Sequence, residues 1–306
     1  MGSSTAGSRT SAETKTRGFQ ASVRSFLGFI SGTRKSTNTL SSYRSDLESF
    51  RRFLETGLGQ KTANLRSLTR GDLIQFDEFL KAQGHKTNSR RRRMMTIRKF
   101  FGYLHRRKYT ELDVGKRLPT PHKVERLQGV ADWEDLRRRV AALPEDNPLL
   151  LRNKVLLWTI LETGAQVSEV ATVEFRDLDR PMDFVGVRLT LRCARNAEET
   201  REIELSSELS EAYERLEALS GGRSHCFQGF NRHGPLPGAV SPRGVELICE
   251  AYRGRLGVLD LTPRALRVAR VAFWLRTGES EKQVQQWLGL KSDYAFRVYR
   301  VKVDQI

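Results

Sequence analysis

Between Val23 and Leu104 apolar residues return every three or four positions in four separate stretches. The first is Val23, Phe26, Leu27 and Ile30; the second Leu40, Tyr43, Leu47, Phe50 and Leu54. The third is Leu73, Phe76, Phe79 and Leu80; the fourth Met94, Ile97, Phe101 and Leu104. This is the period of a helix with one buried face, and such faces close a core by packing on one another. The spacing predicts a four-helix domain. Thr69, three residues ahead of Asp72, reads as a capping box opening the third helix, and Ser36 to Thr39 supplies caps for the second.

Beyond Pro119 and Pro121 the pattern changes to mixed helix and strand. Helices are expected over 133–143, 149–162, 167–173, 207–219, 244–252, 264–276 and 281–288. Strands are expected over 184–191 and 200–205, forming one small hairpin. With 306 residues, the chain exceeds what one core of at most about 250 residues accommodates. The expected division is a Ser/Thr/Gly-rich disordered tail (1–18), a helical domain (19–114), a linker (115–131) and a second domain (132–306). The overall class is mainly α with a small β-hairpin.

Charge is distributed very unevenly over this division. Lys and Arg total 53 against 36 acidic residues, and 40 of the 53 are Arg. Residues 1–125 hold 26 basic and 10 acidic side chains, a net of +16; the remainder is close to neutral at +1. A domain this basic repels itself unless a polyanion neutralises it, and the planar fork of Arg suits phosphate. Arg90, Arg91, Arg92 and Arg93 open the fourth helix, where Arg92, Lys99 and Arg106 recur every seven residues as one basic stripe. The longest apolar run, Val155 to Ile160, is far shorter than the roughly 20 residues that cross a bilayer. Cys193, Cys226 and Cys249 form no CxxC pair, and no zinc-spaced cluster, phosphate loop or dinucleotide fingerprint occurs. No metal or cofactor is expected, and the odd, scattered cysteines fit a reducing, cytoplasmic setting.

Several local patterns in fixed order resemble the tyrosine recombinase (phage integrase) family. In the first domain these are Ser36, Thr39, Tyr43, Asp46, Leu47, Phe50, Phe53 and Leu54, then Leu68, Thr69, Asp72 and Leu73, then the run closing on Phe100, Phe101, Tyr103 and Leu104. They are similar to the family's core-binding, SAM-like domain. In the second, Glu162-Thr163-Gly164-Ala165-Gln166-Val167-Ser168-Glu169-Val170 resembles one catalytic box, and Leu261-Thr262-Pro263-Arg264-Ala265-Leu266-Arg267 another. Trp287-Leu288-Gly289-Leu290 and Tyr299 match the closing segment. The resemblance implies a catalytic-like α+β second domain and duplex DNA as partner.

The family's chemistry implies two Arg on the scissile phosphate, a hairpin Lys as acid, two further groups (usually His, then His or Trp) and a Tyr nucleophile. Carried over here, the first Arg position holds Gln166, the first His position Arg264, and the second His or Trp position Leu290; only Arg267 and Tyr299 persist. No Lys occurs between Lys154 and Lys282, and the hairpin loop is expected to carry Glu198, Glu199, Glu202 and Glu204. Losing one oxyanion donor costs about 10²- to 10³-fold, and a general acid about 10²- to 10⁴-fold more. The expectation is a catalytically degenerate member that holds duplex DNA as a regulator or as an accessory subunit. Its partners would be an active recombinase or further copies of itself on DNA. The alternative is an active, atypical recombinase forming a 3′-phosphotyrosine through Tyr299. Candidate DNA contacts are Asn38, Ser41, Arg44, Asn88, Arg90, Arg91, Arg92, Arg93, Arg98, Lys99, Arg264 and Arg267.

Overall fold

A computed structural model describes residues 18–33, 37–59, 64–124, 129–180, 186–193 and 196–303. The expected tail to residue 17 and the Ser36 cap lie outside the described residues. The chain divides into two compact units at Arg126/Leu127.

The first unit is built from α1 (Phe19–Ser31), α2 (Thr37–Thr56), α3 (Arg70–Ala82) and α4 (Thr87–Arg106). The four apolar faces meet in a core rich in phenylalanine, with Phe26, Phe50, Phe76, Phe100 and Phe101 fully buried. Their rings pack mainly edge to face, as between Phe50 and Phe76 at 5.0 Å and Phe26 and Phe100 at 5.5 Å, an arrangement that matches ring edge to ring face electrostatically. Thr69 caps α3 as the spacing predicts: Asp72 N–H donates to its hydroxyl, and Thr69 N–H donates to the Asp72 carboxylate at 2.7 Å. The stretch expected as linker from residue 115 is tied down over its first part. Leu118 joins the core, and the carbonyls of Pro121 and Val124 accept from Arg91 (2.8 Å) and Asn88 (2.7 Å).

The second unit runs α5 (Trp133–Ala141), α6 (Pro148–Thr163), α7 (Val167–Val170), β1 (Leu178–Asp179), β2 (Arg188–Cys193), β3 (Asn196–Glu204), α8 (Ser207–Ala218), β4 (Gln228–Asn231), β5 (Gly234–Ala239), α9 (Pro242–Leu256), α10 (Pro263–Arg276), α11 (Glu281–Trp287) and α12 (Asp293–Val303). Every residue of α6 from Leu151 to Thr163 is buried, so it is the central helix around which the others pack. Strands β1, β2 and β3 form an antiparallel sheet with Leu189 opposite Ile203.

Several sequence expectations are corrected here. The returning strand begins at Asn196, four residues before the expected Thr200, and α7 stops at Val170 instead of residue 173. Glu198 and Glu199 therefore stand on the strand together with Glu202 and Glu204, and none of the four lies in a loop. Exposed Glu202 and Glu204 share one face and flank Arg188 on β2 at 3.9 and 3.8 Å. A second hairpin, β4–β5, was hidden because Pro235 and Pro237 lie in β5, where proline removes ladder donors; a two-stranded ribbon tolerates that loss. Helix α12 (Asp293–Val303), which carries Tyr299, also lies outside the helices expected from the sequence.

Candidate functional sites

In the first unit, Asn38, Ser41 and Arg44 are exposed along the opening turns of α2, and Arg92 and Lys99 are exposed on α4. Arg92 is anchored. Its guanidinium donates at 2.9 Å to Asp46, a fully buried carboxylate of α2 that also accepts from Thr96 at 2.8 Å. Lys99 donates to the Tyr43 hydroxyl at 2.8 Å and lies over its ring. These contacts immobilise one side of each cation and leave the charge at the surface, which lowers the entropy cost of meeting an anion.

Other members of the expected set have internal duties. Arg90 forms a two-pronged pair with Asp77 of α3 at 2.9 and 3.0 Å, with both side chains largely enclosed. Arg93 lies 3.7 Å from Asp46 with a 15% exposed side chain; burial pulls its basicity down, and the Asp46 charge opposes that. Asn88 brackets Val124 through both its amide and its carbonyl oxygen, and Arg91 clasps Pro121. Arg98 touches the Met95 sulfur at 3.9 Å. The arginine run is thus divided by helical geometry: consecutive residues point about 100° apart, so only some can face outward. Sequence reasoning missed Asp46 as the anchor, although an acid flanked by the apolar stripe of α2 was its visible signal.

In the second unit, Arg267 of α10 and Tyr299 of α12 come together, with Arg267 Nε donating to the Tyr299 hydroxyl at 2.7 Å. Arg267, 4% exposed, also donates to the carbonyls of Gly164 and Leu288 and lies 3.8 Å from the Glu169 carboxylate. A second guanidinium that the sequence did not single out shares that carboxylate. Arg201 of β3 donates to Glu169 at 3.0 and 3.3 Å and to the carbonyls of Thr163 and Trp287. Burial pushes the Arg201 guanidinium down in basicity, and the Glu169 charge draws it back up.

Two buried cations on one carboxylate are tolerated because of where their other donors go. Thr163 and Gly164 close α6, and Trp287 and Leu288 close α11, so the four carbonyls belong to helix C-termini, where unpaired oxygens carry partial negative charge. Gly164 makes the approach possible. Its φ of 61° is left-handed, and a Cβ there would stand 2.9 Å from Leu288 Cδ2.

The substituted positions lie around this cluster. Gln166 is exposed at the head of α7, and its backbone N–H donates to Glu169 at 2.7 Å. Arg264 is exposed on the first turn of α10, outside the network. Leu290 is half-buried beside Trp287, whose ring meets Trp274 at 5.0 Å in a small apolar cluster with Phe296 and Leu288. Neither Leu290 nor the guanidinium of Arg264 can accept a proton from a phenol. Among the described residues no group of three or more His, Cys, Asp or Glu stands where it could hold a metal ion. Lys291 reaches Glu199 of β3 in an exposed pair at 2.6 Å.

Comparison with known proteins fits this architecture. Residues 23–108 match the family described as phage integrase, N-terminal SAM-like domain. Tyrosine recombinase XerC of Herpetosiphon aurantiacus is 28% identical over 290 residues, spanning 92% of this chain and 90% of the relative. Over most of its length the chain is therefore similar to tyrosine recombinases. Tyrosine recombinase XerD of Oceanobacillus iheyensis is also 28% identical, over 273 residues, 86% of this chain and 87% of the relative. Among solved structures, a lambda integrase dimer bound to a COC′ core site superposes with a TM-score of 0.69 at 17% identity, covering 94% of this chain and 79% of that one. No described helix is long and apolar enough to cross a membrane.

Proposed function

We propose that this tyrosine recombinase homologue binds duplex DNA chiefly through its basic first unit and holds it without cutting it, as a regulator or as an accessory subunit beside an active recombinase. The binding half rests on the +16 charge of residues 1–125, the outward-facing Arg44, Arg92 and Lys99, and the DNA-bound state of the lambda integrase it superposes on. If about 8 phosphates are neutralised, log affinity falls against log salt with a slope near −7. The partners are duplex DNA and a recombinase or second copy on the same site, in the cytoplasm with the chromosome.

The non-cutting half rests on one observation: the Tyr299 hydroxyl accepts from the Arg267 guanidinium, and the nearby carboxylate, Glu169, is taken up by Arg201 and the Gln166 N–H. A guanidinium does not accept the phenol proton, and Gln166, Arg264 and Leu290 supply neither a base nor an acid for the leaving oxygen. Arg267 serves here as a clasp between the ends of α6 and α11. The second reading, cleavage through Tyr299, draws on the same 2.7 Å contact, because it places the hydroxyl against the guanidinium that would hold a phosphate.

One experiment separates them. Fragments of the source genome are selected on the full-length protein at physiological salt, and the recovered DNA is run on a denaturing gel beside a Tyr299→Phe control. A discrete enriched site with no protein–DNA adduct is the expected result. An adduct that disappears in Tyr299→Phe overturns the non-cutting reading, and failure to enrich any site overturns sequence-specific binding.

A further inference from the structure

The first unit contains a groove that DNA contact by α2 and α4 does not account for. It has a volume of about 530 Å³ and is bounded by α1, α2, α4 and the turn at 113–117. That size falls within the range of about 300 to 1,000 Å³ found for ligand sites. Its floor is apolar, formed by Phe26, Phe29, Tyr43 and Met95, and Phe29 leaves 43% of its surface in water. An apolar concavity rimmed by polar and charged side chains has the form that interaction sites take.

Around that floor stand Arg98, Lys99, Arg106, Lys116 and Arg117, against one carboxylate, Asp113. Asp113 is itself turned inward to cap its own loop, accepting from Gly115 N–H at 3.0 Å. Arg117 adopts a left-handed backbone, φ 54°, a conformation disfavoured for a residue with a Cβ. Its carbonyl accepts from Arg70 at 2.9 Å, which helps hold that geometry on the rim.

The combination selects the occupant. A cationic rim requires an anion, while a concave aromatic floor requires apolar side chains that can enter it. Duplex DNA presents phosphates outward, and its projecting apolar groups, the thymine methyls, lie recessed in the major groove. We propose that this groove docks an acidic amphipathic segment of a partner protein, with Leu or Phe at i, i+3 or i+4, and i+7 on the aromatic floor and Asp or Glu against the rim. The proposal is separate from the DNA reading, although Arg98 and Lys99 on the rim are also candidate DNA contacts and Arg106 belongs to the same basic stripe of α4.

The test uses the full-length protein and three labelled probes followed by fluorescence anisotropy. The first is an amphipathic peptide of about 18 residues with Leu and Phe on one face and Glu elsewhere, long enough for several helical turns. The second replaces each Glu by Lys, and the third is a duplex of about 30 base pairs. Saturable binding of the Glu peptide is expected, weakened at least about tenfold by Phe29→Ser and several-fold by Lys116→Glu, with the Lys116→Glu effect fading at high salt. Duplex affinity of Phe29→Ser should match the unaltered protein. Equal binding of the Lys peptide, or undiminished Glu-peptide binding by both variants, overturns the proposal. A proportional loss of duplex binding in Phe29→Ser also overturns it and makes the groove part of the DNA face. If Phe29→Ser melts early, Lys116→Glu decides alone, since Lys116 is exposed and outside the core.

Discussion

Replacing Glu169 by Gln keeps the shape of the side chain and removes the one carboxylate shared by Arg201 and Arg267. In the native cluster Glu169 is 6% exposed, takes two hydrogen bonds from Arg201 and lies 3.8 Å from Arg267. The flanking guanidiniums are 9% and 5% exposed, so solvent screening is slight. Breaking such a buried pair from one side costs about 3 to 5 kcal/mol, because the surviving charges stay desolvated. Gln retains one carbonyl acceptor, which places the expected loss near the lower bound, about 3 kcal/mol. For a unit of this size each kcal/mol moves the midpoint by about 2 to 4 °C, so the melting temperature should fall by about 6 to 12 °C. All four tryptophans (Trp133, Trp158, Trp274 and Trp287) lie in the second unit, so tryptophan fluorescence reads its unfolding within the intact chain. Adding Arg201→Gln to Glu169→Gln should cost much less than the sum of the single changes, with a coupling above about 1 kcal/mol. A midpoint shift below about 2 °C, or additive losses, would refute the view that one carboxylate holds two dehydrated cations.

Four further outcomes follow from the same geometry. Gly164→Ala should lose about 2 kcal/mol or more in chemical denaturation, since the left-handed backbone and the 2.9 Å approach of Leu288 both oppose a Cβ. Arg92→Ala and Lys99→Ala should each reduce the salt slope of duplex binding by about one, whereas Arg90→Met should lower stability by leaving Asp77 unpaired and leave the slope unchanged. Asp46→Asn should weaken duplex binding about as much as Arg92→Ala, and the double variant no further; equal binding by Asp46→Asn would show that Arg92 needs no anchor. Burial raises the Glu162 carboxyl above its ordinary 4.5, against the pull of Ser206, Arg137 and Arg270. Between 4.5 and that raised value Glu162 binds a proton in the folded chain that it lacks in the unfolded one, so its contribution to stability should increase as pH falls through this window, and Glu162→Gln should remove that contribution, read as the difference between the two pH profiles.

What was legible in the sequence was whatever repeats at short range. Four apolar stripes gave the helices of the first unit because each helix buries one face, and the Thr69 cap is a contact between residues three apart. Helix α6 was found as an apolar run, but its complete burial by elements from the whole second unit has no short-range signature. The strand boundaries failed because Asn196 to Glu204 is polar on both faces, with exposed ion pairs in place of alternation, and β5 failed because of its prolines.

The sequence by itself determined the resemblance to tyrosine recombinases, the helical character of the first unit, the concentration of charge there, and the residue types at Gln166, Arg264, Arg267, Leu290 and Tyr299. Only the tertiary structure decided what those residues do. Arg201 meets Glu169 across 32 positions, Arg267 meets Tyr299 across 32 and Gly164 across 103, and Arg92 meets Asp46 across 46. Each depends on which helix end or strand is brought alongside another. A run of four arginines read as one basic patch becomes, once wound at about 100° per residue against α2 and α3, three ion pairs (Arg90 with Asp77, Arg92 and Arg93 with Asp46) and one clasp on the following segment, with only Arg92 of the four exposed. Charge content is a property of composition, but its availability is settled by which carboxylates and carbonyls the fold places within reach.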